Sequence, residues 1–137
     1  MNPVLDASVF IAFISPRERH HPEAARLFAS HPDTSPYLVP ALFRVEVLAA
    51  LARRGDPVAL LDTVDAIVRG PRFFAVPLDV ALLDEAASIA RMARIRAYDA
   101  VYAAVARTRG APLFTLDAEL STRVTAAFPE VRVVSTA

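Results

Sequence analysis

The sequence predicts an α/β protein, a three-layer α/β/α sandwich around a central, mostly parallel sheet. Three observations predict it. Five short apolar runs suit strands, and stretches of helical periodicity separate them. Each of the three glycines completes an Arg-Gly step with a proline one or two residues on. Such a step ends a helix: the cation complements the helix dipole, glycine takes a left-handed turn, and proline prevents continuation. Strands separated by helices need crossover connections, which make the sheet mostly parallel.

The first strand is expected at Pro3 to Leu5, before a short helix from Ser8 to Ile14 that Ser8 can cap and Pro16 follows. The stretch from Ser15 to Pro36 is one excursion, holding a short helix from His21 to Ser30 with Ala24, Ala25, Leu27 and Phe28 apolar. A second strand covers Tyr37 to Val39. A helix from Pro40 to Arg53 follows, begun by a proline as first turns favour, and it ends at Gly55. The next helix, Pro57 to Arg69, has Asp56 as its expected N-cap and ends at Gly70. Phe73 to Val76 is the third strand. Leu82, Leu83, Ala86, Ala87, Ile89, Ala90 and Ala93 recur at helical spacing within Asp79 to Arg94. Tyr98 to Arg109 is the helix that the third glycine closes. A strand at Pro112 to Thr115, a helix from Asp117 to Ala127 and a strand at Val131 to Val134 complete the count.

The length of 137 residues suits one domain over 1–137, and an apolar fraction of 55% makes it globular. No apolar run approaches the roughly 20 residues of a membrane span. The N-terminus meets Asp6 without a basic start, unlike a signal peptide. A soluble, cytoplasmic protein is the expectation, and the absence of Cys suits a reducing compartment.

Composition also removes chemistry. All 15 positive charges are Arg, matching 15 Asp plus Glu; there is no Lys, Cys or Trp. Without Lys there is no Schiff base and no P-loop lysine. Without Cys there is no thiolate nucleophile and no thiolate-bound zinc. The three His, at 20, 21 and 31, lie together in what reads as a loop, and none follows to complete a Ser-His-Asp arrangement. Catalysis would rest on carboxylates, hydroxyls, Arg and a metal.

Ligands of open parallel sheets bind outside the carboxyl ends of the strands. Asp6 directly follows Val4-Leu5, and Thr115 and Asp117 follow Leu113-Phe114. Each Asp is either a plain N-cap or one of a pair of carboxylates aimed into a crevice. Glu46 has Leu42, Phe43, Ala49 and Ala50 three and four residues away on its helix face. A carboxylate there needs a cation or a proton, and Arg44 or Arg53 could supply an internal ion pair. Asp99 falls in the first turn of a strongly apolar helix, either as a dipole-satisfying acid or facing the interior edge. Acids separated in sequence, none beside a His or Cys, suit an oxygen-loving cation such as Mg²⁺ or Mn²⁺. Such ions activate water and steady the leaving oxygen in phosphodiester cleavage.

Val4-Leu5-Asp6-Ala7-Ser8, the helical Glu46, Arg96-Ala97-Tyr98-Asp99-Ala100-Val101-Tyr102-Ala103-Ala104 and Leu113-Phe114-Thr115-Leu116-Asp117 resemble the signature blocks of PIN-domain ribonucleases. More narrowly they resemble the VapC toxins of type II toxin–antitoxin modules. The block around Asp99 is the most specific, and the blocks span nearly the whole chain in the family's order. The resemblance implies a PIN-like fold and an Mg²⁺- or Mn²⁺-dependent endoribonuclease. It assigns the family's four acids to Asp6, Glu46, Asp99 and Asp117, as catalytic and metal-binding residues. It assigns assisting hydroxyls to Ser8 and Thr115, which could equally be a helix cap and a strand-forming residue. It further implies an RNA substrate, a cognate antitoxin and a homodimer.

Four other readings compete. A PIN nuclease of RNA processing would lack the antitoxin, and a non-catalytic acidic binding module would bind no metal. Phosphorelay receivers and haloacid-dehalogenase-type phosphatases both want a Lys, and the latter expects an Asp where Ser8 stands. Zero net charge does not exclude a nucleic acid. With four acids set aside for metal, 15 Arg face the remaining 11 carboxylates. Arg suits bidentate phosphate contacts, although the same bias could come from codon usage.

Overall fold

Five strands and seven helices alternate along residues 2–135, those that the computed structural model describes. They run β1 (Val4–Leu5), α1 (Ala7–Phe13), α2 (His21–Ala29), β2 (Tyr37–Pro40), α3 (Phe43–Arg53) and α4 (Val58–Val68). β3 (Phe73–Val76), α5 (Val80–Ala93), α6 (Ala97–Arg109), β4 (Leu113–Thr115), α7 (Ala118–Ala127) and β5 (Val133–Ser135) follow. Every strand pair is parallel, and the sheet order is β3-β2-β1-β4-β5. The expected three-layer α/β/α architecture is therefore present, with a sheet that is wholly parallel among the described residues.

Two groups of helices cover the sheet. α1 packs on α2 and α3, and α3 on α4; α5 packs on α6 and α7. α6 touches β1, β2 and β4, and its residues from Ala100 to Ala106 are all buried. A helix apolar on every side belongs in such an interior position. Opposite it, Phe10 of α1 meets Phe43 at 5.8 Å and Phe73 edge-on at 5.2 Å between ring centroids. Phe28 of α2 lies 5.0 Å from the ring of Tyr37 on β2. These aromatic contacts tie the excursion between β1 and β2 back onto the sheet.

Local punctuation departs from expectation in six places. Pro40 ends β2 opposite Val76, and Ala41 still donates to the Val76 carbonyl, so α3 begins at Phe43 instead of Pro40. Pro57, not Asp56, caps α4, because the Asp56 carboxylate accepts from Arg54 Nε at 2.6 Å. The last strand starts at Val133, since Val131 donates to the Phe128 carbonyl and closes a turn after α7. Gly55 and Gly110 take the left-handed turn, but Gly70 does not; a Cβ there would lie 3.1 Å from the Ile67 carbonyl oxygen. Arg94, at φ 56° and ψ 46°, makes the left-handed cap of α5 without being glycine. His21, expected in a loop by its grouping with the other His and in a helix by periodicity, opens α2.

A left-handed residue with a Cβ costs about 1–2 kcal/mol, part of which glycine returns as chain entropy. Arg94→Gly is therefore expected to raise stability by up to about 1 kcal/mol. Gly110→Ala is expected to lower it by about 1 kcal/mol. No atom lies within 4 Å of a Cβ at Gly110, so only the backbone responds. Urea unfolding midpoints measure both, and an unmoved midpoint for Gly110→Ala would refute the cause given.

Candidate active site

In a parallel sheet each crossover helix runs back against the strands, so helices that follow strands begin at the strands' carboxyl edge. Here α1 follows β1, α3 follows β2, and α7 follows β4. α6 precedes β4 and begins at the same edge. The chain leaves β1 outward to β2 and β3, then returns to β4 on the other side of β1. The gap between β1 and β4 is the topological switch point, where a ligand crevice opens. Asp6 N–H donates to the Phe114 carbonyl at 3.0 Å, which brings the end of β1 alongside Thr115.

Asp6 sits at the bottom of this crevice, 6% exposed. Its carboxylate makes no well-formed cap bond to α1, although the Ser8 amide faces it and helps to lower its pKa. Ser8 Oγ and Thr115 Oγ1 both donate to Asp6 Oδ2, each at 2.8 Å. Thr115, fully buried, donates its hydroxyl hydrogen bond to Asp6 and accepts the Asp117 N–H at 3.0 Å. Ser8 is not the cap of α1, and Thr115 is a strand residue of β4 that also bonds the carboxylate. Burial raises the Asp6 pKa above the usual carboxylate value; the two hydroxyls pull it down and Asp117 adds to the rise.

Glu46 projects from the first turn of α3 into the same crevice. Burial pushes its carboxyl up to about 7, with Asp6 and Asp99 adding to the rise and Tyr102 opposing it. The internal ion pair that the sequence left open does not form. Arg44 turns outward to hold Asp65 at 2.6 and 3.1 Å, and among the described residues no cation pairs with Glu46. The Tyr102 hydroxyl faces Glu46, but Glu46 Oε1 and Tyr102 Oη are buried without a well-formed hydrogen bond.

Asp99 lies in the first turn of α6 and Asp117 caps α7. Asp117 Oδ1 accepts the Glu119 and Leu120 amides at 3.0 and 3.1 Å. Burial raises the Asp99 pKa; Asp6 and Asp117 reinforce the rise, and Arg96 opposes it. The four acids and Ser8 line one cleft with Leu42, Val45, Ala49, Arg53, Arg96 and Tyr98. Thr115 lies beneath it. Sequence reasoning missed Arg96 and Tyr102. Both stand in the sequence block around Asp99, three residues to either side of it, but that block gave neither of them a role.

A model of the PIN domain family matches residues 4–124. The chain belongs to the PIN domain family. Solved structures similar to it include VapC20 of Mycobacterium tuberculosis, a sarcin–ricin loop cleaving toxin, with 24% identity and a TM-score of 0.75 over 96% of this chain and 99% of that one. A toxin–antitoxin complex from Klebsiella pneumoniae has 16% identity and a TM-score of 0.73, covering 98% and 97% of the two chains. VapBC2 of Rickettsia felis, bound to a DNA fragment from its promoter, has 11% identity and a TM-score of 0.70 with both chains covered in full. At these identities the likeness is one of fold. Among curated proteins, none matches the sequence significantly.

The cleft of this PIN domain is chemically suited to a hard divalent cation, which binds oxygen donors. Glu46 Oε1 is buried and unpartnered, and neighbouring carboxylates add to the raised pKa of Asp6, Glu46 and Asp99. Among the described residues no group of three or more acids or His is gathered into a ready-made cage. Mg²⁺ tolerates that, because it keeps several waters and needs only one or two carboxylates with substrate phosphate.

Glu46 holds its proton more tightly folded, to about 7, than unfolded, at 4.5. Between those values the folded state carries the extra proton, so stability falls as pH rises through the window. Glu46→Gln removes this slope. Without divalent cations it is expected to exceed the wild type at pH 8 by up to roughly 1–2 kcal/mol, discounted for partial exposure, and to match it near pH 4. Urea unfolding across that range tests this; identical pH slopes in the two proteins would overturn the assignment to Glu46.

Proposed function

We propose that this PIN domain is an Mg²⁺- or Mn²⁺-dependent endoribonuclease, the toxin of a type II toxin–antitoxin module, which hydrolyses RNA phosphodiesters with water as nucleophile. The observation that carries it is the meeting of Asp6, Glu46, Asp99 and Asp117 in one cleft at the switch point, from four separate helix starts.

Asp6, Asp99 and Asp117 are the cation's ligands, directly or through water. Ser8 and Thr115 fix the plane of the Asp6 carboxylate by holding one of its oxygens. Asp117 has Oδ1 tied to α7, which leaves Oδ2 for the cleft. When bound, the cation supplies charge stabilisation at the phosphoryl and leaving oxygens and makes water more acidic. Glu46, with a pKa near neutrality, orients the attacking water and takes its proton, since a base is most effective when its pKa lies near the working pH. Leu42, Val45 and Ala49 give the cleft an apolar wall.

The antitoxin belongs to the same proposal, supported by the toxin–antitoxin complexes among structures of this fold. An apolar groove lined by Phe10, Phe13, Phe28, Ile67 and Phe73 offers such a partner a surface. Phe13 and Ile67 are exposed there. A cationic side chain of the partner would neutralise the acid cleft. Val45, Val58 and Val80 are exposed apolar residues that a homodimer could cover. No helix among the described residues is long and apolar enough to cross a membrane. In this proposal the toxin works in the cytoplasm, where its RNA is.

Purified protein is expected to cut RNA with Mg²⁺ or Mn²⁺ and not with EDTA. Asp6→Asn should fold normally and cease to cut, because a neutral side chain at a buried site still accepts both hydroxyls. Glu46→Gln should lose about 100-fold or more in rate, the usual contribution of a general base. Thr115→Val should lose about 10- to 100-fold, as substitutions behind a metal ligand do. Unchanged metal-dependent cleavage by Asp6→Asn would sink the site assignment. Sequencing of RNA 5′ ends after induction of wild type against Asp99→Asn identifies the target. Harmless expression with no adjacent antitoxin would move the protein to RNA processing.

A further inference from the structure

Arg96 is the one cation that pairs with acids of the cleft among the described residues. It is the N-cap of α6, and its side chain is 83% exposed. Its Nε lies 3.4 Å from Asp99 Oδ2 and its Nη2 3.6 Å from Asp117 Oδ2. Both separations exceed the roughly 2.7–2.9 Å of a tight charge-assisted hydrogen bond, so the guanidinium stands between the two carboxylates in two long ion pairs. The backbone beneath it is anchored, because Arg123 Nη1 donates to the Arg94 carbonyl at 2.9 Å. A fixed base with an exposed, loosely paired side chain can swing away at little cost.

The atom that Arg96 faces is decisive. Asp117 Oδ1 is occupied by two amides of α7, so Oδ2 is the oxygen that Asp117 can offer a cation. Arg96 stands against that same oxygen. Arg53 lines the cleft as well but pairs with none of the four acids.

We propose that Arg96 is a resident counter-cation of the cleft. It bridges Asp99 and Asp117 while no divalent cation is bound, and a divalent cation must displace it to reach Asp117 Oδ2. This rests on Asp99 and Asp117 being cation ligands, as assigned above. Arg96 thereby holds cation affinity below what the four acids would otherwise reach, and it keeps the empty cleft from repelling itself apart.

The test is a calorimetric titration of the full chain with Mn²⁺, without RNA. Arg96→Gln should bind Mn²⁺ about three- to tenfold more tightly than wild type, the range that one or two exposed ion pairs can oppose. Arg96→Lys keeps the charge but cannot span both carboxylates, and should fall between the two. Arg53→Gln, which removes a charge from the same wall, should stay within about twofold of wild type, as loss of an unpaired and solvent-screened charge implies. Circular dichroism confirms that each variant is folded. Equal or weaker Mn²⁺ binding by Arg96→Gln overturns the inference. So does equal tightening by Arg53→Gln, which would make the effect one of general field. If the wild type binds Mn²⁺ and cuts RNA while Arg96→Gln binds no better, only this inference fails; if neither protein binds Mn²⁺, the nuclease proposal fails with it.

Discussion

Parallel pairing of the five strands is the constraint on which the cleft depends. A parallel sheet needs a crossover between strands, and the helix that follows each strand begins at one common edge, where the start of α6 also lies. The four cleft acids are each an N-cap or a first-turn residue: Asp6 before α1, Glu46 in α3, Asp99 in α6 and Asp117 before α7. None could meet the others in an antiparallel meander of the same elements. The order β3-β2-β1-β4-β5 then parts the connections at β1 and β4, and Asp6 and Thr115 face each other across that seam.

Bringing four carboxylates together is costly, and the structure offsets the cost in several small ways. Helix N-termini supply partial positive charge. Ser8 and Thr115 solvate Asp6 in place of water, although burial outweighs them and its pKa still rises. Glu46 is relieved by a proton near neutral pH, and Asp99 and Asp117 share Arg96. None of these devices fills the site permanently. A charge-neutral protein thus holds a concentrated negative pocket whose countercharge, the Arg of the sequence, lies mostly on its surface.

Much of this was legible in the residue order. The five apolar runs and the helical spacings located every strand and helix, because alternation of buried strands with amphipathic helices leaves a periodic trace. Asp6, Glu46, Asp99 and Asp117 stood out as acids in apolar company, and in the fold they share a cleft. Punctuation was less legible. Pro40 favours a helix start in isolation, but its pairing opposite Val76 keeps it in a strand. Gly70 looked like Gly55 and Gly110, yet it takes no left-handed turn, while Arg94 does. Local preferences of about 1 kcal/mol yield to sheet pairing and helix packing.

The sequence by itself determined the α/β class, the run of elements and the identity of the acids, because these follow from composition and from periods of two and 3.6 residues. Only the tertiary structure decided which partner each acid has. Arg44 goes to Asp65 and leaves Glu46 to Tyr102; Asp56 goes to Arg54 and leaves the N-cap of α4 to Pro57; Asp6 gathers the hydroxyls of Ser8, two residues on, and of Thr115, 109 residues on. Pairing is set by distance in space, and a crossover sheet brings distant segments of chain together while separating near ones. A residue's type and spacing can therefore announce that it needs a partner, but the fold selects the partner.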